Sequence, residues 1–290
     1  MNLLITLVFI FFVFLIGLIP FPLLYLFSDF IRFILQRVAG YRKKVILQNL
    51  QETFPEMDEK KRKKLLSEIY RNLADITVES LKGFSMSARQ VRKRHYIKNP
   101  ELIESYILQG RSVIGLPAHF NNWEWGSLSP GLFVKHPIIA FYKPLSNKYI
   151  DRFLKRSRSK FGTTLSSIYI TALTFERNAQ IPSIYVMAAD QSPTNRRKSY
   201  WVPFLGRDTA FLHGPEFYAR KHDIPVFYVD VQRVRRGYYT LEVSLLTDIP
   251  CELPDGEITR RYAAKLEEAI LATPGSWLWS HRRWKMKKED

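Results

Sequence analysis

The chain has 290 residues, with 44 lysines and arginines against 27 aspartates and glutamates, a formal net charge of +17. Its 46% hydrophobic and 14% aromatic content excludes wholesale disorder, and a single cysteine, Cys251, excludes an intrachain disulfide scaffold and cysteine-based zinc modules. The basic excess narrows the partners to polyanions: nucleic acid, anionic lipid headgroups or an acidic carrier protein.

Residues 1–28 hold no charged side chain, and residues 3–27 are almost wholly Leu, Ile, Val, Phe and Tyr. About 20 apolar residues suffice to cross a bilayer core, so this stretch is predicted to be a transmembrane helix, kinked or ended by Pro20 and Pro22. A cleaved signal peptide would need a basic start, a shorter apolar run and a small-residue cleavage site, none of which is present. Arg32, Arg37, Arg42, Lys43 and Lys44 follow the span and no basic residue precedes it, which puts the rest of the chain in the cytoplasm. The expected organisation is an anchor over 1–28 and one globular domain over 29–290, without repeats or low-complexity linkers.

Residues 45–54 and 59–81 read as amphipathic helices. In the second, Leu65, Leu66, Ile69, Leu73 and Ile76 recur at helical spacing opposite the basic run 60–64, a solvated face more often than a specific contact. From residue 111 onward, short apolar runs alternate with helical patterns. Strands are predicted at 112–117, 137–142, 183–188, 226–231 and 239–244, and helices at 123–128, 148–160, 170–178, 213–221 and 259–272. This alternation argues for an α/β fold: a central mixed or mainly parallel sheet flanked by helices.

The phosphate loop of NTPases, the dinucleotide-binding turn, the G-x-S-x-G nucleophile elbow and H-E-x-x-H are all missing. What remains is the segment 115–126, where His119 and Glu124 lie five apart directly after an apolar strand. Six histidines and 27 acidic residues make about 0.6 such pairs by chance, so the spacing alone is weak. Five residues on a regular helix rotate by about 500°, so the two side chains meet only if His119 sits in the strand–helix loop and Glu124 in the first turn. There Glu124 would accept one imidazole N–H and leave the other nitrogen free as a base for an alcohol attacking a carbonyl. A structural histidine beside a helix-capping glutamate fits these residues equally well.

The sequence resembles the bacterial lipid A late acyltransferases (lauroyl- and myristoyl-transferases) of the wider lysophospholipid acyltransferase superfamily. The matching features run in order over nearly the whole chain: an N-terminal span, Asn49-Leu50, Phe54-Pro55-Glu56, His119 to Glu124 with Asn122-Trp123, and Tyr142-Lys143-Pro144 with Asn147. They continue with Arg156 and Arg158, Asp190-Gln191, residues 202–206 ending in Gly206, Thr209, Gly214-Pro215 and the closing Trp279-Ser-His281-Arg282-Arg283-Trp284. Lys143 stands where the family often has Arg, and Leu205 where it has a second Phe.

The resemblance implies a glycerol-3-phosphate acyltransferase-like fold and transfer of a fatty acyl group from acyl carrier protein or acyl-CoA to a hydroxyl of a lipid A precursor. It places the reaction at the cytoplasmic face of the bacterial inner membrane, with inner-membrane lipids as partners, no nucleic acid, and no metal or bound cofactor. In that frame His119 deprotonates the acceptor and Glu124 orients the imidazole. Arg156 and Arg158 serve the developing oxyanion or a substrate phosphate, unless they are a solvated helix face. Asp190 positions one of these arginines, or is a turn residue. The tryptophans and cations of 277–288 suit a membrane interface as well as a packed C-terminal segment. Acyl transfer to another lipid acceptor, a lysophospholipid or an amino-acid-containing lipid, is the neighbouring alternative. A basic, membrane-tethered binding module is the non-enzymatic one.

Overall fold

The computed structural model describes residues 2–288; Met1, Glu289 and Asp290 lie outside it. In chain order the elements begin with α1 (Asn2–Leu18), α2 (Phe21–Phe33), a π-turn at Ile34–Val38, α3 (Lys43–Thr53), α4 (Glu59–Gly83) and α5 (Ala88–Arg94). Then come β1 (His95–Ile97), α6 (Pro100–Leu108), β2 (Val113–Pro117), α7 (Pro130–Phe133), β3 (Ile138–Tyr142), α8 (Lys148–Arg158), β4 (Thr163–Ser167), α9 (Thr171–Arg177) and β5 (Ile184–Val186). The chain closes with β6 (Ser199–Phe204), β7 (Arg207–Leu212), α10 (Gly214–His222), β8 (Val226–Arg235), β9 (Tyr238–Thr247) and α11 (Glu257–Ala272).

Seven strands form one sheet in the order β1-β9-β8-β2-β5-β3-β4, and only the β8–β9 pair is antiparallel. The central strands β2, β3 and β5 are apolar on both faces because both faces are covered. Successive residues divide between two cores: Ile114, Ile139, Tyr185 and Tyr228 pack towards α11, whereas Val113, Ile138, Ile184 and Phe227 pack towards α5 and α6. This is the α/β architecture expected from the alternating pattern. The strands β1 and β4 escape sequence reading, since β1 is three residues long after a basic helix and β4 reads Thr-Thr-Leu-Ser-Ser. The β6–β7 hairpin also escapes it. Its turn is made by Leu205 (φ 50°) and Gly206 (φ 74°), both left-handed as a two-residue hairpin turn requires.

The N-terminus departs from expectation. Among the described residues, no helix is long and apolar enough to cross a membrane. The apolar run is divided at Pro20 into α1, 17 residues and about 25 Å long, and α2, because Pro20 has no N–H to donate and its ring excludes a continuing helix. Pro22 sits in the first turn of α2, where its missing N–H is harmless. Both helices lie along the body: Phe9 stacks edge-on against Phe84 and Phe153, Lys82 Nζ donates to the Ile19 carbonyl at 2.9 Å, and Leu24 is fully buried.

Beneath them a buried polar cluster ties α2 and α4 to β8 and β9. Glu79 Oε1 accepts from Tyr25 Oη at 2.8 Å, and its Oε2 accepts from Tyr239 Oη at 2.7 Å and Asn122 Nδ2 at 2.6 Å. Asp75, also fully buried, receives Arg233, Arg236 and the Ser28 hydroxyl. Burial raises the Glu79 carboxyl above the ordinary range, although Arg233 and the tyrosine hydroxyls pull the other way.

His95, at the start of β1, is wholly buried with Nδ1 2.7 Å from the Ser129 hydroxyl, and burial depresses it to about 4. Its folded-state pKa lies below the unfolded value of about 6.5, so the unfolded chain takes up the proton first as pH falls. The stability that the neutral ring supports is complete above pH 6.5 and is lost between about 6.5 and 4. Urea unfolding at pH 7 and pH 5 should show about 2 kcal/mol of acid-induced loss in the wild type that His95→Gln lacks.

Candidate active site

Strands β2 and β5 are parallel neighbours with Gly115 paired to Val186. Continuing that register past the strand ends brings His119 level with Asp190, and there the two meet. His119 Nδ1 lies 2.7 Å from Asp190 Oδ1, and the His119 backbone N–H donates to Asp190 Oδ2 at 2.9 Å. The carboxylate has no proton to give, so Nδ1 carries the hydrogen and Nε2 keeps its lone pair. The Gln191 amide nitrogen lies 3.2 Å from Nε2 and donates to it. Trp277 Nε1 donates to Asp190 Oδ2 at 3.1 Å, and the Trp123 ring stands edge-on to the imidazole. The His119 side chain keeps 22% of its surface exposed, while Asp190 keeps 2%.

Burial opposes a charge on this ring. The Asp190 carboxylate and its hydrogen bond, with a smaller pull from Glu124, outweigh burial and leave His119 above its ordinary value. Asp190 is likewise penalised by burial, yet the imidazole, the His119 N–H and the Trp277 N–H hold it below the usual carboxylate range.

The partner of His119 is therefore Asp190, not Glu124, and Asp190 is bonded to neither Arg156 nor Arg158. Glu124 makes no hydrogen bond to the ring; its Oε2 accepts from Arg158 Nη2 at 2.7 Å. The helix expected over 123–128 is only a single turn at Trp125–Ser127, so Glu124 precedes it and is turned towards α8. The loop ahead of that turn is shaped from its sides. Asn121 takes φ 50°, Asn122 Oδ1 accepts from the Trp125 N–H at 3.0 Å, and Asn122 Nδ2 is anchored on Glu79. Arg156 lies two residues from Arg158 on α8, about 200° around the helix, and is exposed without a hydrogen bond or ion pair among the described residues.

The remaining family positions divide between loop support and surface. The C-terminal segment is packed, not laid out at an interface: the Leu278 N–H donates to the His119 carbonyl at 3.1 Å, the Asn121 N–H to the Ser276 carbonyl at 2.9 Å, and Trp277 and Trp279 are buried. Asn49 Nδ2 donates to the carbonyls of Trp279 (2.9 Å) and His281 (3.1 Å), fixing this segment from α3. His281 Nε2 accepts from the Ser192 N–H at 3.0 Å, and burial lowers the ring to about 4, keeping it a neutral acceptor. Arg283 is buried, donates to the Ala210 carbonyl at 2.7 Å and stacks on Phe211. Thr209 accepts from Trp284 Nε1 at 2.9 Å, Gly206 makes the hairpin turn and Gly214 opens α10. Asn147 caps α8 and touches Thr6 of α1, whereas Lys143 and Arg282 are exposed. A cavity of about 150 Å³ opens beside the Glu124–Arg158 pair, walled by Phe9, Leu81, Phe84, Leu128 and Leu154. No cluster of three or more metal-ligating side chains occurs among the described residues.

The family model for bacterial lipid A biosynthesis acyltransferases matches residues 2–286. Among characterised proteins, the chain is 24% identical over 278 residues to the lipid A biosynthesis lauroyltransferase of Escherichia coli (strain K12), covering 93% of this chain and 88% of that one. It is 23% identical over 271 residues to the palmitoleoyltransferase of the same organism, covering 93% and 87%. It is also 22% identical over 262 residues to a lipid A biosynthesis acyltransferase of Haemophilus influenzae, covering 88% and 81%. With a match of that extent laid over a histidine and carboxylate at the ends of adjacent parallel strands, the chain belongs to the bacterial lipid A biosynthesis acyltransferase family and is an acyltransferase.

Proposed function

We propose that this protein transfers a fatty acyl chain from an acyl carrier protein thioester to a hydroxyl of a lipid A precursor, with His119 as general base and Asp190 as the group that orients it. The observation that carries the reading is the Asp190–His119 hydrogen bond, which leaves Nε2 of a partly exposed ring with its lone pair. The acceptor O–H takes the place of the Gln191 amide at Nε2 and gives up its proton as its oxygen attacks the thioester carbonyl. Asp190 stabilises the imidazolium, and the tetrahedral intermediate collapses by breaking the C–S bond. The departing thiolate recovers the proton from His119, so the ring ends neutral. Arg158 has further N–H groups beyond the one bonded to Glu124, and these suit the oxyanion. The net charge of +17 favours an acidic carrier protein and an anionic acceptor.

The apolar cavity beside Glu124 receives the acyl chain. Leu154→Trp narrows it and is expected to shift the preferred donor to a shorter chain, read from competing acyl donors by product mass; an unchanged preference would place the chain elsewhere. The outward faces of α1 and α2 expose Leu4, Phe11, Phe12, Phe14, Leu26 and Phe30, an apolar surface that suits burial in one leaflet with the catalytic body alongside. Incubation of the purified protein with acyl carrier protein thioesters and either a lipid A precursor or a lysophospholipid, with mass analysis of the products, tests the reading. Acylated lipid A precursor is the expected product; acylation of lysophospholipid alone would replace the acceptor.

A further inference from the structure

A second pocket, of about 560 Å³, lies between α2, the turn that follows it, α4 and the β8–β9 turn, and its wall is dominated by guanidinium groups. Arg32, Arg37, Arg71, Arg233 and Arg236 line it against a single carboxylate, Asp29. Arg236 is bonded to Asp29 and to the buried Asp75 behind the wall, and Arg233 to Asp75 and the Tyr239 hydroxyl. Both are thus fixed in place. Arg32, Arg37 and Arg71 have no ion pair or hydrogen bond among the described residues, so the five guanidinium groups of the wall are set against two carboxylates, Asp29 and Asp75, both bonded to Arg236. The Asp29 carboxyl is held below its ordinary range, first by its bond to Arg236, with the fields of Arg32 and Arg71 adding to it; these charges therefore converge on the pocket.

Like charges gathered at one concavity repel one another, and an anion shared between them relieves that repulsion. Guanidinium forks match the oxygens of a phosphate group in particular. The setting adds a second feature. Phe33 is part of the lining and is itself exposed, and it continues the exposed apolar face of α2 formed by Leu26 and Phe30. A ligand that fits both parts carries phosphate directly beneath hydrocarbon. We infer that this pocket binds the phosphate group of a membrane lipid headgroup, at a site separate from the His119 loop. The inference does not depend on acyl transfer, and its test involves none.

Co-sedimentation of the full chain with phosphatidylcholine vesicles, with and without phosphatidic acid, provides that test. Phosphatidic acid should tighten binding, and Arg37→Gln/Arg71→Gln should weaken binding to those vesicles about thirtyfold, the combined effect of two cations near a membrane surface. Both side chains are exposed, so an unchanged melting curve is expected to accompany the loss. Lys135→Gln/Lys221→Gln removes the same charge from exposed positions away from the pocket and should weaken binding severalfold less. Equal losses in the two double variants would reduce the effect to general surface charge and overturn the site. Stabilisation of the wild type by inorganic phosphate, abolished in the arginine variant but unaccompanied by any gain from phosphatidic acid, would overturn the lipid as its source.

Discussion

Replacing Asp190 with asparagine is expected to lower kcat by about two to four orders of magnitude while leaving the fold intact. The amide presents an N–H where Nδ1–H now points, favouring the tautomer in which Nε2 carries the proton and can no longer accept one. The pH–rate profile gives a second reading. Only neutral His119 is a base, so activity rises with pH through a midpoint set above the ordinary histidine value. Removing the nearest carboxylate lowers that midpoint and the maximal rate together. Glu124→Gln loses one charge-assisted bond to Arg158 and a weaker field on the ring, and is expected to cost about tenfold. If Glu124→Gln proved the more damaging change and Asp190→Asn were nearly neutral, the roles given to the two carboxylates would be reversed.

Glu79→Ala is expected to destabilise the protein by about 3–5 kcal/mol, among the largest effects of any single change outside the catalytic loop. The substitution strands three donors in a buried setting, the hydroxyls of Tyr25 and Tyr239 and the amide of Asn122. It also releases Asn122, whose Oδ1 holds the Trp125 N–H and so the turn after His119. Denaturant unfolding measures the first effect and kcat the second. Glu79→Gln keeps a hydrogen-bonding group of the same shape and should recover part of the stability. Loss of less than 1 kcal/mol in the alanine variant would mean that water replaces the carboxylate without penalty.

How much of this was legible beforehand follows from the range of the interactions. Strands at 112–117, 137–142 and 226–231 were visible because each carries an apolar run, interrupted in the third by Asp230, and lies between two neighbouring strands of the sheet. The polar β4 and the short β1 draw their identity from neighbours across the sheet, which a local pattern does not contain. The active-site loop shows the same division. His119 stood out by its place after an apolar strand. Its partner Asp190 lies 71 residues away, and only the pairing of β2 with β5 brings the two level. The nearby Glu124 was a natural local choice, but the loop is bent by Asn121, Asn122 and the returning segment at 276–278, and these turn Glu124 to Arg158. At the N-terminus, composition identified the apolar run correctly, whereas Pro20 determined that it forms two helices lying along the body.

A single-turnover measurement of acyl transfer by His119→Ala, with thioester donor and lipid A precursor both saturating, bears most directly on the chemistry. His119→Ala is expected to react at least about a thousandfold more slowly than wild type, with donor and acceptor still bound, since the variant has lost the group proposed to take the alcohol proton. A rate within tenfold of wild type would mean that the imidazole is a structural element of the loop and that the proton leaves by another route.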